Sequence, residues 1–187
     1  AIVTNSREIY NKIKSIRSHG RLENISYFNN PSDAEYVGVG YNWRMSSITA
    51  ALGISQIAKL DKLIKMRQEN ASFISQQISK HKQIQVSDNP ENIYQMYSIL
   101  LENKKLRDAL QKFLIEKKIF CKIYFQPIHL MDYYKKYFEN EIISLPMTES
   151  ISERILTLPL YPNMNNNEKQ YLVESVDEFF ENSNNLL

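Results

Sequence analysis

The sequence predicts an α/β fold, in which a first α/β domain is followed by a small α+β domain. Three patterns support this prediction. A short strand runs directly into a helix within residues 1–20, a helical apolar pattern extends from residue 46 to about residue 80, and a strand, a helix, a second strand and further helices follow. Because so long a helix usually connects two domains, we place residues 1–66 in the first domain and residues 67–187 in the second.

The first domain begins with a predicted strand over Ala1–Thr4 and a predicted helix after it. Asn5, with Glu8 three residues later, resembles the capping box that starts many helices. His19 and Gly20 mark the end of the helix, since glycine readily adopts the conformation that terminates helices. The apolar residues at helical spacing predict one buried face, and they are Ile9, Ile13 and Ile16.

A predicted loop and a long helix complete this domain. Residues 21–41 are polar and show no sustained period, which predicts a loop. Ser46 or Ser47 can cap the following helix, which we expect to continue, straight or bent, to about residue 80. Its apolar positions follow helical spacing, and they are Ile48, Ala51, Leu52, Ile54, Ile57, Leu60, Leu63 and Ile64.

The second domain mixes strands and helices. Residues rich in β-formers predict strands over Ile93–Leu101 and Ile119–Phe125. Between them, a helical stripe is formed by Leu106, Ala109, Leu110, Phe113 and Leu114. Further helices are predicted at about 129–138, 148–156 and 165–182. The last helix has Asn165 as its cap and Glu168 at the third position, and its predicted buried residues are Leu172, Val176 and Phe179 or Phe180.

Composition excludes several classes of protein. The formal net charge of +2 is small and the lysines are dispersed, which argues against a nucleic-acid partner. Cys121 is the single cysteine, so no internal disulfide can form, and the three histidines lack the spacing of a zinc site. No apolar run approaches the ~18 residues of a membrane span. These features fit a cytoplasmic protein with no membrane partner.

The segment Gly40–Ser47 carries the chemically most suggestive side chains. Its sequence, Gly-Tyr-Asn-Trp-Arg-Met-Ser-Ser, places an amide, a guanidinium and two aromatic rings ahead of the long helix. Asn42 and Arg44 are hydrogen-bond donors suited to an anion. From these residues alone, Asn42 could equally serve to turn the loop, and Arg44 could pair with a neighbouring carboxylate.

The stretch from Gly40 to Arg67 closely resembles the signature of the DegT/DnrJ/EryC1/StrS family of sugar aminotransferases. Three further matches occur in the family's order along the chain. They are Thr4-Asn5-Ser6 with Ile16-Arg17-Ser18-His19-Gly20, Gln126-Pro127-Ile128-His129-Leu130, and Ser152-Glu153-Arg154-Ile155-Leu156-Thr157-Leu158-Pro159-Leu160-Tyr161-Pro162. Together the four matches cover nearly the whole chain.

The resemblance implies an aspartate-aminotransferase-like fold, that of fold type I enzymes that use pyridoxal phosphate (PLP). Members of the family place an amino group on a nucleotide-linked keto sugar, with glutamate as the expected amino donor. Residues 1–66 would then be the end of the large PLP-binding domain, with the interdomain helix, and residues 67–187 the small domain. The resemblance also implies a homodimer with a shared active site, in which Asn42 reaches the cofactor of the neighbouring subunit.

Family positions assign further binding residues. Asn42 matches a cofactor-binding residue, while Arg44, His129, Tyr124 and His19 are candidates for substrate binding. His129 would donate a hydrogen bond to a substrate phosphate or sugar hydroxyl, although a lone histidine is more often a surface or core residue. The chain departs from many relatives at Gln95 and Trp43. These departures bear on the identity of the substrate and not on the class of reaction.

The chain contains no match to the family segment that carries the cofactor lysine. That lysine forms a Schiff base with PLP and precedes a Gly-Glu-Gly-Gly sequence, which is absent here. We therefore interpret the chain as the C-terminal half of an aminotransferase, with no catalytic residue of its own and no activity in isolation. Two alternatives remain open: a non-catalytic fragment or dimerisation partner, and a family sugar dehydratase with histidine in place of the lysine.

Overall fold

The computed structural model describes residues 2–22, 35–87, 89–138 and 143–184. The chain divides into two units, Ala1–Ala58 and Lys59–Leu187. The predicted domain assignment, with its boundary after residue 66, remains a prediction. Among the residues that the structure describes, no helix is both long and apolar enough to cross a membrane.

The first unit begins with helix α1 (Arg7–Ile16). Its cap is Ser6, whose hydroxyl accepts a hydrogen bond from the backbone N–H of Ile9 at 3.3 Å, and not the predicted Asn5. Residues 2–4 do not form the predicted strand, because no strand lies beside them among the described residues. Ala1, the first residue of that predicted strand, lies outside the described residues. The buried face predicted for this helix is also wrong, since α1 contains no buried residue and Ile9 is 49% exposed.

Two helices replace the single long helix that the sequence predicts. Helix α2 (Ser47–Ile57) starts at Ser46, whose hydroxyl accepts from the N–H of Thr49 at 3.2 Å, as predicted. Helix α3 (Leu60–Ile78) follows after two residues. The prediction that helical structure extends to about residue 80 is therefore confirmed, with a break between α2 and α3. The first half of the predicted apolar stripe lies exposed on α2, where no residue is buried.

The second unit contains a three-stranded antiparallel sheet. Strand β1 (Ile84–Gln85) pairs with β2 (Tyr97–Leu101), which pairs with β3 (Ile155–Leu158) in a register that sets Tyr97 opposite Leu158. β2 confirms the end of the predicted strand over Ile93–Leu101. The strand predicted over Ile119–Phe125 is wrong, because this segment joins the sheet only through a single bridge between Lys122 and Thr157.

Four further helices of the second unit are α4 (Lys104–Glu116), α5 (Asp132–Tyr137), α6 (Pro146–Arg154) and α7 (Asn166–Asn184). A short 3₁₀ turn, Ile128–Leu130, precedes α5, so the predicted helix over 129–138 begins later than expected. The predicted helix over 148–156 ends at Arg154, where β3 begins at once.

The predicted capping box of α7 is confirmed. The Asn165 side chain accepts from the N–H of Glu168 at 3.0 Å, and the Glu168 carboxylate accepts from the N–H of Asn165 at 2.8 Å. The buried face of α7 is confirmed as well, at Leu172, Val176, Phe179 and Phe180. These side chains join a core with the sheet and α3 and α4, whose fully buried members include Ile74, Ile78, Ile99, Leu101, Leu110, Leu114 and Leu156.

Asp177 of α7 binds the segment that follows α3. Its carboxylate accepts from Lys80 Nζ at 2.7 Å and lies 2.7 Å from His81 Nε2, and the His81 ring stacks on Phe180. Burial, the largest single influence, raises the pKa of Asp177, but the hydrogen bonds and charges of Lys80 and His81 together lower it below its ordinary value. The ionised carboxylate therefore stabilises the packing of α7 against the end of α3.

We predict that Asp177→Asn lowers the free energy of unfolding by about 1 kcal/mol at pH 7, because the amide keeps one acceptor oxygen but loses the charge that strengthens the hydrogen bonds with Lys80 and His81. Because the folded pKa is lowered, this contribution is complete above about pH 4 and is lost as the pH falls through the folded pKa. Urea unfolding at several pH values measures the difference between the two proteins. The matched control is Glu181→Gln, one turn further along α7. An equal loss in both variants, or a difference that does not shrink below about pH 4, would contradict the role of Asp177.

Candidate functional site

The loop with Asn42 and Arg44 is fixed by backbone hydrogen bonds to the end of α1. The N–H of Tyr41 donates to the carbonyl of Ile16 at 2.6 Å, and the N–H of Trp43 donates to that of Arg17 at 3.0 Å. In return, the N–H of His19 donates to the carbonyl of Tyr41 at 2.9 Å. These bonds pair residues 16–19 with residues 41–43 in antiparallel fashion, with Ser18 opposite Asn42.

Glycines permit this close approach. Gly20 has a φ of +77°, which favours glycine, and a Cβ there would overlap the carbonyl oxygen of Gly38. A Cβ on Gly40 would overlap the backbone nitrogen of Gly20. Side chains at either position would therefore push the two segments apart and displace Asn42.

The two candidate anion donors lie on this loop. Asn42 is exposed, and its side chain forms no hydrogen bond with any residue that the structure describes. Arg44 donates from Nη2 to the hydroxyl of Ser18 at 3.2 Å, and Ser18 is only 3% exposed. Because Ser18 is buried and held by the backbone pairing, it orients the guanidinium.

The aromatic neighbours of Asn42 form a separate pair. The rings of Tyr41 and Trp43 stack with their centroids 4.2 Å apart and their planes 3° apart. In an extended segment, alternate side chains point to opposite sides, so the stack lies away from Asn42 and Arg44. The stack therefore stiffens the loop, and it leaves the amide and the guanidinium on the opposite side.

His19 belongs to the same arrangement. Its φ of 64° is unusual for a non-glycine residue, and its backbone is pinned by the bond to Tyr41 while its side chain is exposed. Three of the five candidate residues, His19, Asn42 and Arg44, therefore lie in the first unit, on the two segments that its backbone hydrogen bonds pair. The amide of Asn42 and the guanidinium of Arg44 are donors suited to an anionic group such as a phosphate. No group of acidic, histidine or cysteine side chains suited to a metal ion occurs among the described residues.

Tyr124 and His129 lie in the second unit, His129 within the 3₁₀ turn and Tyr124 shortly before it. The Tyr124 ring packs against Phe125, with centroids 4.6 Å apart. His129 is nearly buried, with its side chain 7% exposed, and its Nε2 lies 2.9 Å from Glu149 Oε1. The same carboxylate oxygen accepts from the N–H of Leu145 at 2.9 Å. Nε2 is therefore engaged within the protein and does not face a ligand.

Glu149 is ionised in this arrangement. The hydrogen bond from the backbone N–H of Leu145, followed by that from His129, lowers the pKa of the Glu149 carboxyl below its ordinary value. Sequence reasoning did not identify Glu149 or Ser18 as partners of candidate residues. Ser18 belongs to the family-like segment Ile16–Gly20, so its partnership with a candidate residue could have been suspected from the sequence. Glu149 is 20 residues from His129, and only the fold brings the two together.

Comparisons with known proteins identify the family that this chain resembles. The model of the DegT/DnrJ/EryC1/StrS aminotransferase family matches residues 1–177. GDP-perosamine synthase of Escherichia coli O157:H7 is 28% identical over 180 residues, which are 96% of this chain and 46% of that protein. A Campylobacter jejuni UDP-4-amino-4,6-dideoxy-N-acetyl-beta-L-altrosamine transaminase is 27% identical over 186 residues, or 97% of this chain and 48% of that protein. The chain spans about half the length of the curated relatives that it matches.

Solved structures of aminotransferases have the same fold. Helicobacter pylori PseC, an aminotransferase involved in the biosynthesis of pseudoaminic acid, has a TM-score of 0.83 at 25% identity over 96% of this chain and 48% of that chain. The structure of ntda from Bacillus subtilis, with bound cofactor PMP, has a TM-score of 0.80 at 17% identity over 96% of this chain and 41% of that chain, a likeness of fold alone. These likenesses confirm the predicted aspartate-aminotransferase-like fold.

We predict that Gly40→Ala opens the loop pairing and changes the fluorescence of Trp43, the only tryptophan in the chain. The added methyl group would overlap the Gly20 backbone, so Tyr41 and Trp43 could not keep their bonds to the end of α1. Fluorescence spectra and quenching by iodide measure the change. The matched control is Gly53→Ala in α2, where an added Cβ meets nothing within 4 Å. If both variants keep the wild-type spectrum, the glycine contact is not what holds the loop.

Proposed function

Because the chain belongs to the DegT/DnrJ/EryC1/StrS aminotransferase family, we propose that it forms part of a PLP-dependent enzyme that converts a nucleotide-linked keto sugar to an amino sugar. The observation that carries this proposal is the exposed Asn42 amide on a loop that backbone hydrogen bonds hold against the end of α1, with a guanidinium two residues away that Ser18 orients. Two relatives named for GDP- and UDP-linked sugars support the substrate class.

The donor set of the first unit fits the phosphate of PLP. Asn42 would donate its amide N–H to a phosphate oxygen, and the glycine contact would hold the loop so that the donor is already in position. When bound, PLP would supply the aldehyde carbon that takes up the amino group of the donor and an electron-poor ring that acts as the electron sink for its transfer to the sugar. The chain's own residues hold the cofactor and do not attach it covalently. None of its lysines precedes a Gly-Glu-Gly-Gly sequence, since the four glycines, Gly20, Gly38, Gly40 and Gly53, include no adjacent pair.

Arg44 would bind the substrates. Its guanidinium matches the carboxylate of the amino donor, expected to be glutamate, and equally the diphosphate of the nucleotide sugar. The bond to Ser18 occupies Nη2 and leaves the other N–H groups of the guanidinium for such an anion. His19 would supply a further donor beside it, from its exposed side chain.

Tyr124 and His129 would contact the sugar. A phenol and an imidazole are suited to sugar hydroxyls, since each can both donate and accept hydrogen bonds. Glutamate as amino donor, a homodimer in which Asn42 reaches the cofactor of the neighbouring subunit, and action in the cytoplasm complete the proposal. All three follow from the family likeness.

Two other functions predict different behaviour. A non-catalytic partner would assemble with a complementary chain without binding PLP through Asn42. A sugar dehydratase would bind the same cofactor but remove water from the sugar without forming an amino sugar. Mass spectrometry of the sugar product formed by the complete enzyme, with glutamate as donor, separates the aminotransferase from both alternatives. The isolated 187-residue chain is expected to form no product.

We predict that Asn42→Asp lowers the affinity for PLP by more than tenfold, because the new carboxylate repels the phosphate and removes a hydrogen bond to a charged group. Aspartate turns a loop as well as asparagine does. The affinity is measured by absorbance titration with PLP, which reports binding without any need for catalysis.

The control for this prediction is Asn5→Asp, at an exposed position of the same unit whose side chain forms no hydrogen bond among the described residues. It adds the same charge in the same unit but outside the segment Gly40–Ser47, so it corrects for any general electrostatic effect on PLP. Equal affinities of Asn42→Asp and the wild type would show that Asn42 only turns the loop, and the assignment would fall.

A further inference from the structure

The pair formed by His129 and Glu149 fixes which nitrogen of the imidazole carries hydrogen. Nε2 of His129 lies 2.9 Å from Oε1 of Glu149, a normal hydrogen-bond distance. An ionised carboxylate can only accept, so the hydrogen of a neutral His129 must reside on Nε2. Nδ1 is then the acceptor nitrogen, and it forms no hydrogen bond with the residues that the structure describes.

Both partners are held in place independently of each other. Glu149 lies in the first turns of α6, and its carboxylate also accepts from the N–H of Leu145. His129 lies in the 3₁₀ turn, which is closed by the bond from the N–H of Leu130 to the carbonyl of Pro127 at 3.0 Å. The imidazole therefore has little freedom to rotate, and its orientation is set before any ligand binds.

We propose that Glu149 is a positioning residue: it holds His129 with its hydrogen on Nε2, so that Nδ1 accepts a hydrogen bond from a hydroxyl of the sugar. This inference rests on the proposed function, in which His129 contacts the sugar. It also decides between two candidate ligands of His129. A phosphate oxygen offers no hydrogen to an acceptor nitrogen, whereas a sugar hydroxyl does.

The tautomer is read by nuclear magnetic resonance of protein labelled with ¹⁵N-histidine, whose spectrum contains only three histidines. A His129→Gln variant assigns the signals. We expect the wild type to hold the hydrogen of His129 on Nε2. Glu149→Gln keeps an acceptor for that hydrogen and retains the tautomer, whereas Glu149→Ala gives a mixture of tautomers. Glu153→Gln, one turn further along α6, is the matched control and leaves the signals unchanged.

Binding of UDP-N-acetylglucosamine and GDP-mannose tests the role of Nδ1, with UDP and GDP alone as probes that lack the sugar. We expect Glu149→Ala to weaken binding of a nucleotide sugar by about 3- to 10-fold, the range for one hydrogen bond, and to leave the nucleoside diphosphates unaffected. Glu149→Gln should remain within about twofold of the wild type.

Each outcome bears on the inference separately from the proposed function. A wild type with its hydrogen on Nδ1, or an unchanged tautomer in Glu149→Ala, overturns the positioning role whatever the protein binds. Equal weakening for nucleotide sugar and nucleoside diphosphate overturns the hydroxyl contact. If Glu149→Ala does not fold, the wild-type and Glu149→Gln spectra still decide the tautomer. A wild type that binds no nucleotide sugar overturns the proposed substrate class, and the tautomer remains a separate result.

Discussion

Close backbone contact at Gly20 and Gly40 is the constraint on which the first unit depends. Three hydrogen bonds join the end of α1 to residues 41–43, and they can form only because neither glycine carries a Cβ. The same contact buries Ser18, which then orients Arg44. The proposed binding groups are therefore exposed while the backbone beneath them is rigid, which reduces the ordering that a ligand must impose.

The second unit prepares its side chains differently, through charge-assisted hydrogen bonds between helices and turns. Glu149 joins His129 to the start of α6, and Asp177 joins α7 to the segment after α3. In both pairs an ionised carboxylate accepts hydrogen bonds from two partners, and in both its pKa is lowered. The core of this unit supports the Asp177 pair, because the buried faces of α3 and α7 belong to that core.

Local signals predicted the parts of the fold that local chemistry controls. The capping box of Asn165 and Glu168, the cap at Ser46 and the buried face of α7 need only nearby residues, and all three were predicted correctly. The prediction of a strand over Ile119–Phe125 was wrong, because a strand needs a partner along its whole length and only Lys122 of this segment pairs with β3. Asn42 and Arg44 could be selected as candidates from their residue types and the motif that contains them. The hydrogen bond between Glu149 and His129 joins two separate elements, so the periodicity of the sequence could not predict it.

The central proposal is that this chain binds cofactor and substrate through Asn42 and Arg44, and that none of its own lysines forms the covalent attachment. The most direct measurement is borohydride reduction of the protein after PLP addition, followed by mass spectrometry and peptide mapping. We predict that no lysine within residues 1–187 carries the pyridoxyl group in stoichiometric amount. A single lysine of this chain labelled to completion would contradict the proposal and identify a covalent site that the family motif does not mark.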